Sequence, residues 1–180
     1  MADLPRPPTP PEILLSEAQI AAVVADLAAR IAPVIDDETV LAVLLTGGLW
    51  FAADLSRALS RIGRNVRFDA LWLASYGDDK TSRGRIDVYA PFQRSLTGRK
   101  VLIVDDVFDT GLSLAEAARL AREGGASQVL TCVFARKPFP LPSAPEPDFF
   151  GWQAPNRFLV GYGLDNAGTM RGLPDICALD

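Results

Sequence analysis

The chain has 180 residues, of which 49% are hydrophobic and 22% are charged, and its net charge is −4 at pH 7. These values are typical of one globular domain with a sizeable core, and without a basic run they exclude the broad cationic surface of a nucleic-acid-binding protein. Asp26 and Arg30 interrupt the most apolar early segment, so the sequence predicts no membrane-spanning helix.

The N-terminal part predicts an extended leader followed by a helix. Residues 1–11 contain five prolines and are predicted to be disordered. Ser16-Glu17-Ala18-Gln19 has the pattern of a capping box, and the apolar residues behind it recur at helical spacing. Residues 17–32 are therefore predicted to form an amphipathic helix. No secretory signal precedes it, which together with only two cysteines favours a reduced, cytoplasmic setting.

A strand, a glycine turn and a second helix follow. Val40–Leu45 is a continuous apolar run that predicts a buried strand, Thr46-Gly47-Gly48 breaks it, and Leu49–Ile62 returns to helical spacing. A strand, glycine turn and helix in this order suit phosphate binding. Taken alone, however, these residues favour a tight connector that needs glycine only for its backbone geometry.

A long polar loop separates the next two predicted strands, Val66–Ala74 and Ile86–Ala90. Ser75–Arg85 is polar, carries glycines and is long enough to suggest a function. One interpretation is a surface hairpin. The other, favoured by the position of the loop just before the central motif, is a lid over the active site.

The central motif is Lys100–Ser113. Val101–Val104 predicts a strand buried on both faces of a parallel sheet, Asp105 and Asp106 are predicted to end it, and Asp109–Ser113 turns into a helix near Leu114. Hydroxyl groups and backbone amides at a helix start provide a site for a phosphate. Carboxylates beside a phosphate suggest a ligand that also carries hydroxyls or a divalent metal. Phosphoribosyl pyrophosphate fits, because it has a 5-phosphate, a ribose diol and a pyrophosphate that binds magnesium.

This motif has two other possible interpretations. An ordinary turn with a helix N-cap would leave three carboxylates and two hydroxyls at fixed offsets as a coincidence. Phosphoacceptor receiver domains also carry an acidic pair and a Lys-Pro, as at Lys137-Pro138. Their acidic pair follows the first strand, whereas here the pair and Asp109 share one loop after earlier strands, so the order of elements excludes a receiver.

The rest of the chain completes an α/β pattern. Leu114–Arg122 predicts a helix and Gln128–Ala135 another buried strand, and the alternation predicts a parallel sheet with its ligand at the carboxyl ends of the strands. Three short apolar segments, at 149–152, 158–160 and 176–179, would suit a small hood. Residues 12–180 are predicted to form a single domain, with a hood built from the N-terminal segment and about 149–180.

The central motif resembles that of type I phosphoribosyltransferases, and the end of the chain is similar to the hypoxanthine-guanine branch of that family. The other similar segments are Glu12–Ser16, Leu45–Gly48, Ala53–Leu55, Ser75–Gly77, Lys137–Pro138, Asn156–Asp165 and Arg171–Pro174. The resemblance implies a parallel-sheet core with helices on both faces. It also implies Mg²⁺-dependent transfer of the 5-phosphoribosyl group from phosphoribosyl pyrophosphate to hypoxanthine or guanine in purine salvage, by a cytoplasmic dimer or tetramer that binds neither nucleic acid nor membrane.

The resemblance also implies roles for individual residues. Asp109 would accept a proton at the purine, and Lys137 would contact the purine oxygen. Phe158 would stack on the base, and Leu159 would offer backbone contacts. The remaining implied contacts are Asp105 and Asp106 with the ribose diol or its metal, Asp165 with Mg²⁺, Thr110, Gly111, Leu112 and Ser113 with the 5-phosphate, Thr46, Gly47 and Arg171 with pyrophosphate, and Ser75 and Tyr76 in the mobile loop.

The chain departs from the family pattern at two positions, and its stretch 166–170 (Asn-Ala-Gly-Thr-Met) is unusually small and apolar for the family. Thr46 stands where the family usually has lysine, and Asn166 where it often has tyrosine. From the residues alone, Phe158 and Leu159 would be assigned to the core. Two other functions stay open: transfer to another base, such as xanthine or a pyrimidine, and a regulator that senses phosphoribosyl pyrophosphate. The regulator would need an added helix-turn-helix or a basic face, which this sequence lacks.

Overall fold

A computed structural model describes residues 11–75, 86–138, 140–141 and 144–179. None of the helices within these ranges is long and apolar enough to cross a membrane. The elements in chain order are β1 (Glu12–Leu15), α1 (Glu17–Ile31), β2 (Val40–Leu45), α2 (Leu49–Arg61), β3 (Arg67–Ser75), β4 (Ile86–Ala90), β5 (Lys100–Phe108), α3 (Leu112–Glu123), β6 (Gln128–Arg136), β7 (Phe149–Gln153), β8 (Phe158–Val160) and β9 (Ile176–Leu179).

The main sheet has six strands in the order β4-β3-β2-β5-β6-β7. All neighbouring pairs are parallel except β3 and β4, which pair antiparallel at one edge. Alternate residues of the central strands enter two cores: Leu41 and Val43 pack with α1 and α2, whereas Val40 and Ala42 pack with α3. Because helices cover both faces, these strands are apolar throughout. The predicted fold class is confirmed.

The start of α1 is set by its N-cap. The Ser16 backbone amide donates to Gln19 Oε1 at 2.9 Å and the Ser16 hydroxyl accepts from the Gln19 amide, which completes the predicted capping box. Ile20, Val24 and Leu27 are buried against the sheet. Satisfying the first free amides and burying one apolar stripe both favour a helix here.

A second, three-stranded sheet forms the hood, in the order β1-β9-β8. The assignment of residues 149–152 to the hood is wrong, because β7 pairs parallel with β6 and extends the edge of the main sheet. The proline-rich connection between β6 and β7, which has no helix in its described residues, is long enough to bring the chain back alongside β6. Leu159 and Ile176 of the hood share a core cluster with Leu55 of α2, which supports the proposal of one domain over residues 12–180.

Candidate active site

A cleft of about 300 Å³ opens at the carboxyl ends of β2 and β5. This is the edge of the sheet where a parallel α/β fold is expected to bind its ligand. Its lining comprises Leu44, Leu45, Gly47, Leu73, Asp105, Asp106, Val107, Phe108, Asp109, Thr110, Gly111, Ser113, Leu114, Asp165 and Arg171.

The acidic pair lies within β5 and not after it. The expectation that Asp105 and Asp106 end this strand is wrong: Asp105 pairs with Val133 and Phe108 pairs with Arg136. The apolar run stops at Val104, but the neighbouring strand β6 continues to Arg136 and pairs with Asp105, Val107 and Phe108, so β5 continues to Phe108. Strand pairing therefore outweighs the low strand propensity of aspartate.

The phosphate-binding corner lies between β5 and α3. Gly111 is the N-cap of α3 with φ 81°, and a Cβ there would come within 2.7 Å of the Phe108 ring. Only glycine fits this turn. The Thr110 hydroxyl accepts from the Leu112 amide at 3.4 Å, and α3 starts at Leu112, two residues before the predicted start. Thr110, Gly111 and Ser113 line the cleft, whereas the Leu112 side chain is 39% exposed, so its contribution would be its backbone amide.

The carboxylates of Asp105 and Asp106 are packed closely at the floor of the cleft. Burial and the charge of Asp106 raise the pKa of Asp105 well above its usual range, and burial also raises the pKa of Asp106. Asp106 fills the space beside Gly47, where an added Cβ would lie 1.9 Å from a carboxylate oxygen. The free protein thus holds two acids that ionise only at an energetic cost.

We expect Asp105→Asn to stabilise the ligand-free protein at pH 7 but not near pH 4. Because the folded pKa is raised, this carboxyl costs no stability below its unfolded pKa, and the cost grows as pH rises toward the folded pKa. The melting temperature at pH 7 should rise by about 2–4 °C. Asp26→Asn, on the exposed face of α1, is the control. An equal gain at both pH values would mean that the ionised carboxylate is not the cause.

The glycine turn after β2 forms one wall of the cleft. Gly47 lines the cleft, and the peptide bond between Leu45 and Thr46 is cis. A Cβ on Gly48 would lie 2.8 Å from the Leu44 carbonyl oxygen, so this turn needs glycine for packing, as a tight connector would. Thr46 is exposed and is not part of the described lining. Of the two residues assigned to this loop, only Gly47 faces the cleft.

The segment between β8 and β9 supplies a second wall through Asp165 and Arg171. The Arg171 guanidinium pairs with the Asp165 carboxylate at 2.8 Å and also donates to the Gly163 carbonyl oxygen. The Gly168 amide donates to Asp165 at 2.6 Å. The loop from 166 to 170 therefore folds back on Asp165 and directs both charged groups toward the acidic pair.

A second cleft of about 210 Å³ adjoins the first and shares Asp106, Val107 and Asp165 with it. The Lys137 amide donates to the Phe108 carbonyl oxygen at 2.9 Å, and its ammonium lies 3.3 Å from Asp109. The assignment of Phe158 to the core is wrong, since 51% of it is exposed, but Leu159 is buried. The lining of this cleft is Asp106, Val107, Lys137, Phe158, Leu159, Leu164 and Asp165.

The structure adds apolar lining residues to which the sequence gave no role, among them Val107 and Leu164. Val107 lies at the junction of the two clefts and Leu164 lines the second; neither carries a chemical group that a motif would reveal. Ser75 is the last residue of β3. Tyr76 and the remainder of the expected lid lie outside the described residues.

A metal ion would need ligand oxygens in addition to those of the protein. Within the described ranges, no three Asp, Glu, Cys or His side chains form a group that could hold a metal. Mg²⁺ usually binds through one or two carboxylates and completes its octahedral shell with water and substrate phosphates. Asp165 or the pair Asp105 and Asp106 fits this pattern, because the closely packed acids gain from a neighbouring positive charge.

Comparison with known proteins finds one family over most of the chain. A family model of the phosphoribosyl transferase domain matches residues 12–167. The chain is 33% identical over 169 residues to the hypoxanthine-guanine phosphoribosyltransferase of Bacillus subtilis, covering 93% of this chain and 92% of that one. It is 35% identical over 167 residues to that of Aquifex aeolicus, covering 92% of each chain. The solved structure of the Trypanosoma cruzi hypoxanthine phosphoribosyltransferase in complex with the product IMP superposes with TM-score 0.88 and 32% identity, covering 98% of both chains.

Proposed function

The chain belongs to the phosphoribosyltransferase family, and we propose that it transfers the 5-phosphoribosyl group of phosphoribosyl pyrophosphate to hypoxanthine or guanine, with release of pyrophosphate. The products are IMP or GMP, so the reaction serves purine salvage. The observation that carries this assignment is the junction of the two clefts. The phosphate corner at Thr110–Ser113 and the aromatic cleft at Phe158 meet at Asp106, Val107 and Asp165.

The first cleft binds phosphoribosyl pyrophosphate by its three polar parts. The amides at the start of α3 and the hydroxyls of Thr110 and Ser113 bind the 5-phosphate. Asp105 and Asp106 accept hydrogen bonds from the ribose hydroxyls. Arg171 is the only cationic side chain among the described residues of this lining, so it takes the pyrophosphate together with the backbone at Gly47, where Thr46 supplies no charge.

The second cleft binds the purine. Phe158 presents an exposed ring for stacking, and stacking is insensitive to the identity of the base. Lys137 donates to the purine oxygen, which selects a 6-oxopurine over an aminopurine. In the free protein the partner of this ammonium is Asp109, so the two side chains that face the base already lie in contact.

The reaction needs positioning and proton transfer more than a nucleophilic side chain. Substitution at the anomeric carbon passes through an oxocarbenium-like state, and the two clefts hold base and ribose on either side of that carbon. Asp109 accepts the proton that the purine loses as its new bond forms. Asp165 and the pair Asp105 and Asp106 would hold Mg²⁺, which when bound offsets the charge that develops on pyrophosphate.

The test is a direct assay of the purified chain with phosphoribosyl pyrophosphate, Mg²⁺ and a panel of bases. We expect IMP from hypoxanthine and GMP from guanine. Efficient use of xanthine or a pyrimidine in their place would assign another base. Binding of phosphoribosyl pyrophosphate without turnover of any base would favour the sensing regulator.

Association of the chain into a dimer or tetramer is also part of this proposal. The β3–β4 edge of the main sheet carries exposed apolar side chains, and clusters of this kind mark contact surfaces. Sedimentation equilibrium of the purified chain would measure the state, and a monomer would remove this part of the proposal. The exposed side chains are Phe68 and Trp72 of β3 and Tyr89 of β4, whose ring lies 5.9 Å from that of Trp72.

A further inference from the structure

Two residues outside both clefts join the walls of the active site. Tyr162 is 7% exposed and has φ 50°. It lies in the turn that directly follows β8, between Gly161 and Leu164, which we call the hood turn. Its hydroxyl donates to Asp54 Oδ2 of α2 at 3.0 Å, across 108 residues of sequence. Asp54 belongs to the Ala53–Leu55 segment, which the proposed reaction does not use. A positive φ is unfavourable for a tyrosine backbone, so the contacts around Tyr162 must stabilise this conformation.

On the hood, Tyr162 is linked through its neighbours to Arg171, a charged residue of the cleft. Its ring packs edge-on against Phe134 at 5.1 Å, and its amide donates to the Leu173 carbonyl oxygen at 2.9 Å. The next residue, Gly163, donates its amide to the Arg171 carbonyl oxygen at 3.0 Å and accepts from the Arg171 guanidinium. The position of Tyr162 therefore sets the position of Arg171.

On the side of the main sheet, Asp54 lies on the helix that follows the glycine turn after β2. Helix α2, on which Asp54 lies, begins at Leu49 directly after Gly47 and Gly48. The hood turn is pressed against this loop: a Cβ on Gly163 would lie 2.1 Å from the Gly47 carbonyl oxygen. The two walls of the cleft thus touch at these glycines and are joined behind them by the Tyr162–Asp54 hydrogen bond.

We infer that Tyr162 and Asp54 are positioning residues that hold Arg171 and the Gly47 turn at the spacing required to bind pyrophosphate. Neither side chain is among the described lining of either cleft, so both act through the residues that they position. Burial and the Asp54 carboxylate raise the pKa of Tyr162, so the hydroxyl keeps its proton and stays a donor. This inference rests on the proposed function, because it takes the spacing between Arg171 and the Gly47 turn to serve binding of the pyrophosphate of the proposed substrate.

The experiment compares three variants at this hydrogen bond, and Asp54→Asn controls for the Asp54–Arg57 ion pair that both Asp54 changes remove. Tyr162→Phe removes one oxygen atom and keeps the ring against Phe134. Asp54→Leu removes the acceptor, whereas Asp54→Asn keeps an acceptor oxygen. Thr131→Val is the matched control, because it removes a hydroxyl that bonds Asp148 at 2.8 Å on the opposite side of the sheet.

Tyr162→Phe and Asp54→Leu should each raise the KM for phosphoribosyl pyrophosphate and the Kd for inorganic pyrophosphate with Mg²⁺ by about tenfold, as expected for a lost hydrogen bond to a charged group. The KM for hypoxanthine should stay within about twofold. Asp54→Asn and Thr131→Val should resemble the parent. The double variant Tyr162→Phe/Asp54→Leu should be no worse than either single change, because both remove one interaction.

A lower melting temperature with both pyrophosphate constants unchanged would overturn the inference, as would an equal rise in the KM for hypoxanthine. Amide hydrogen exchange of the ligand-free protein tests the link without any activity. Tyr162→Phe should accelerate exchange at Gly48 and Gly163, whose amides are bonded in the parent, and unchanged exchange at both would also overturn it. If the parent chain turned over no base, the proposed function would be contradicted. The hydrogen-exchange result at Gly48 and Gly163 would then test by itself whether Tyr162 and Asp54 hold the two walls together.

Discussion

Asp109→Asn is expected to lower kcat by about 100-fold or more while leaving the KM for phosphoribosyl pyrophosphate nearly unchanged. Asp109 lies at the mouth of the first cleft with 57% of its side chain exposed, 3.3 Å from the Lys137 ammonium. Asparagine has the same shape and keeps an oxygen for Lys137, but it has no carboxylate to accept the proton that the purine loses. The measurement is steady-state kinetics with hypoxanthine.

The pattern of kinetic constants separates two roles for Asp109. A fall in kcat alone supports proton acceptance. A rise in the KM for phosphoribosyl pyrophosphate with little change in kcat would make Asp109 a binding residue, and near-normal turnover would remove the base role. Asp26→Asn, on the exposed face of α1, controls for the loss of one negative charge from the chain.

Lys137 is expected to set the choice between 6-oxopurines and 6-aminopurines. An ammonium only donates hydrogen bonds, so it pairs with the oxygen of hypoxanthine or guanine, whereas adenine presents an amino group. The Lys137 side chain is 18% exposed, so an aminopurine would take water from a largely buried charge and offer it no acceptor in return. Such sites discriminate by as much as about 10⁴-fold. The parent should therefore use hypoxanthine far better than adenine in kcat/KM.

Lys137→Ala should remove most of this discrimination, chiefly by lowering kcat/KM with hypoxanthine. Lys100→Ala is the matched control, since Lys100 begins the neighbouring strand β5 at the opposite end of the sheet and pairs with Asp36. Lys137→Arg keeps a donor and should retain part of the preference. If the parent used adenine as well as hypoxanthine, the 6-oxopurine assignment would be wrong, although transfer of the phosphoribosyl group would stand.

Local sequence determined the elements and the phosphate corner. The predicted bounds of β2 and β4 match the structure, because their extended apolar or alternating runs are flanked by residues that stop a strand. The corner from Asp105 to Ser113 is one strand, turn and helix, so its geometry follows from neighbours in the chain. Gly111 shows this only in part: its positive φ and the nearby Phe108 ring lie within that segment, but the closest atom to a Cβ there would be Ala144 Cβ at 2.5 Å, from a distant loop.

Residues outside that segment were assigned through family resemblance. Lys137, Phe158, Asp165 and Arg171 come from three later segments, and nothing in their own surroundings distinguishes a binding lysine or an exposed phenylalanine from ordinary loop and core residues. The structure brings them to the two clefts. Their roles stay predictions, and the Lys137 variants test one of them directly.

The tertiary structure alone decided where strands found their partners. It extended β5 through Asp105 and Asp106 because β6 runs beside it, and it placed β7 on the main sheet and not in the hood. It also joined Tyr162 to Asp54 across 108 residues. Such contacts depend on the order of strands and on the packing of helices across the sheet. Local propensity and hydrophobic period are the same whichever neighbour a strand acquires.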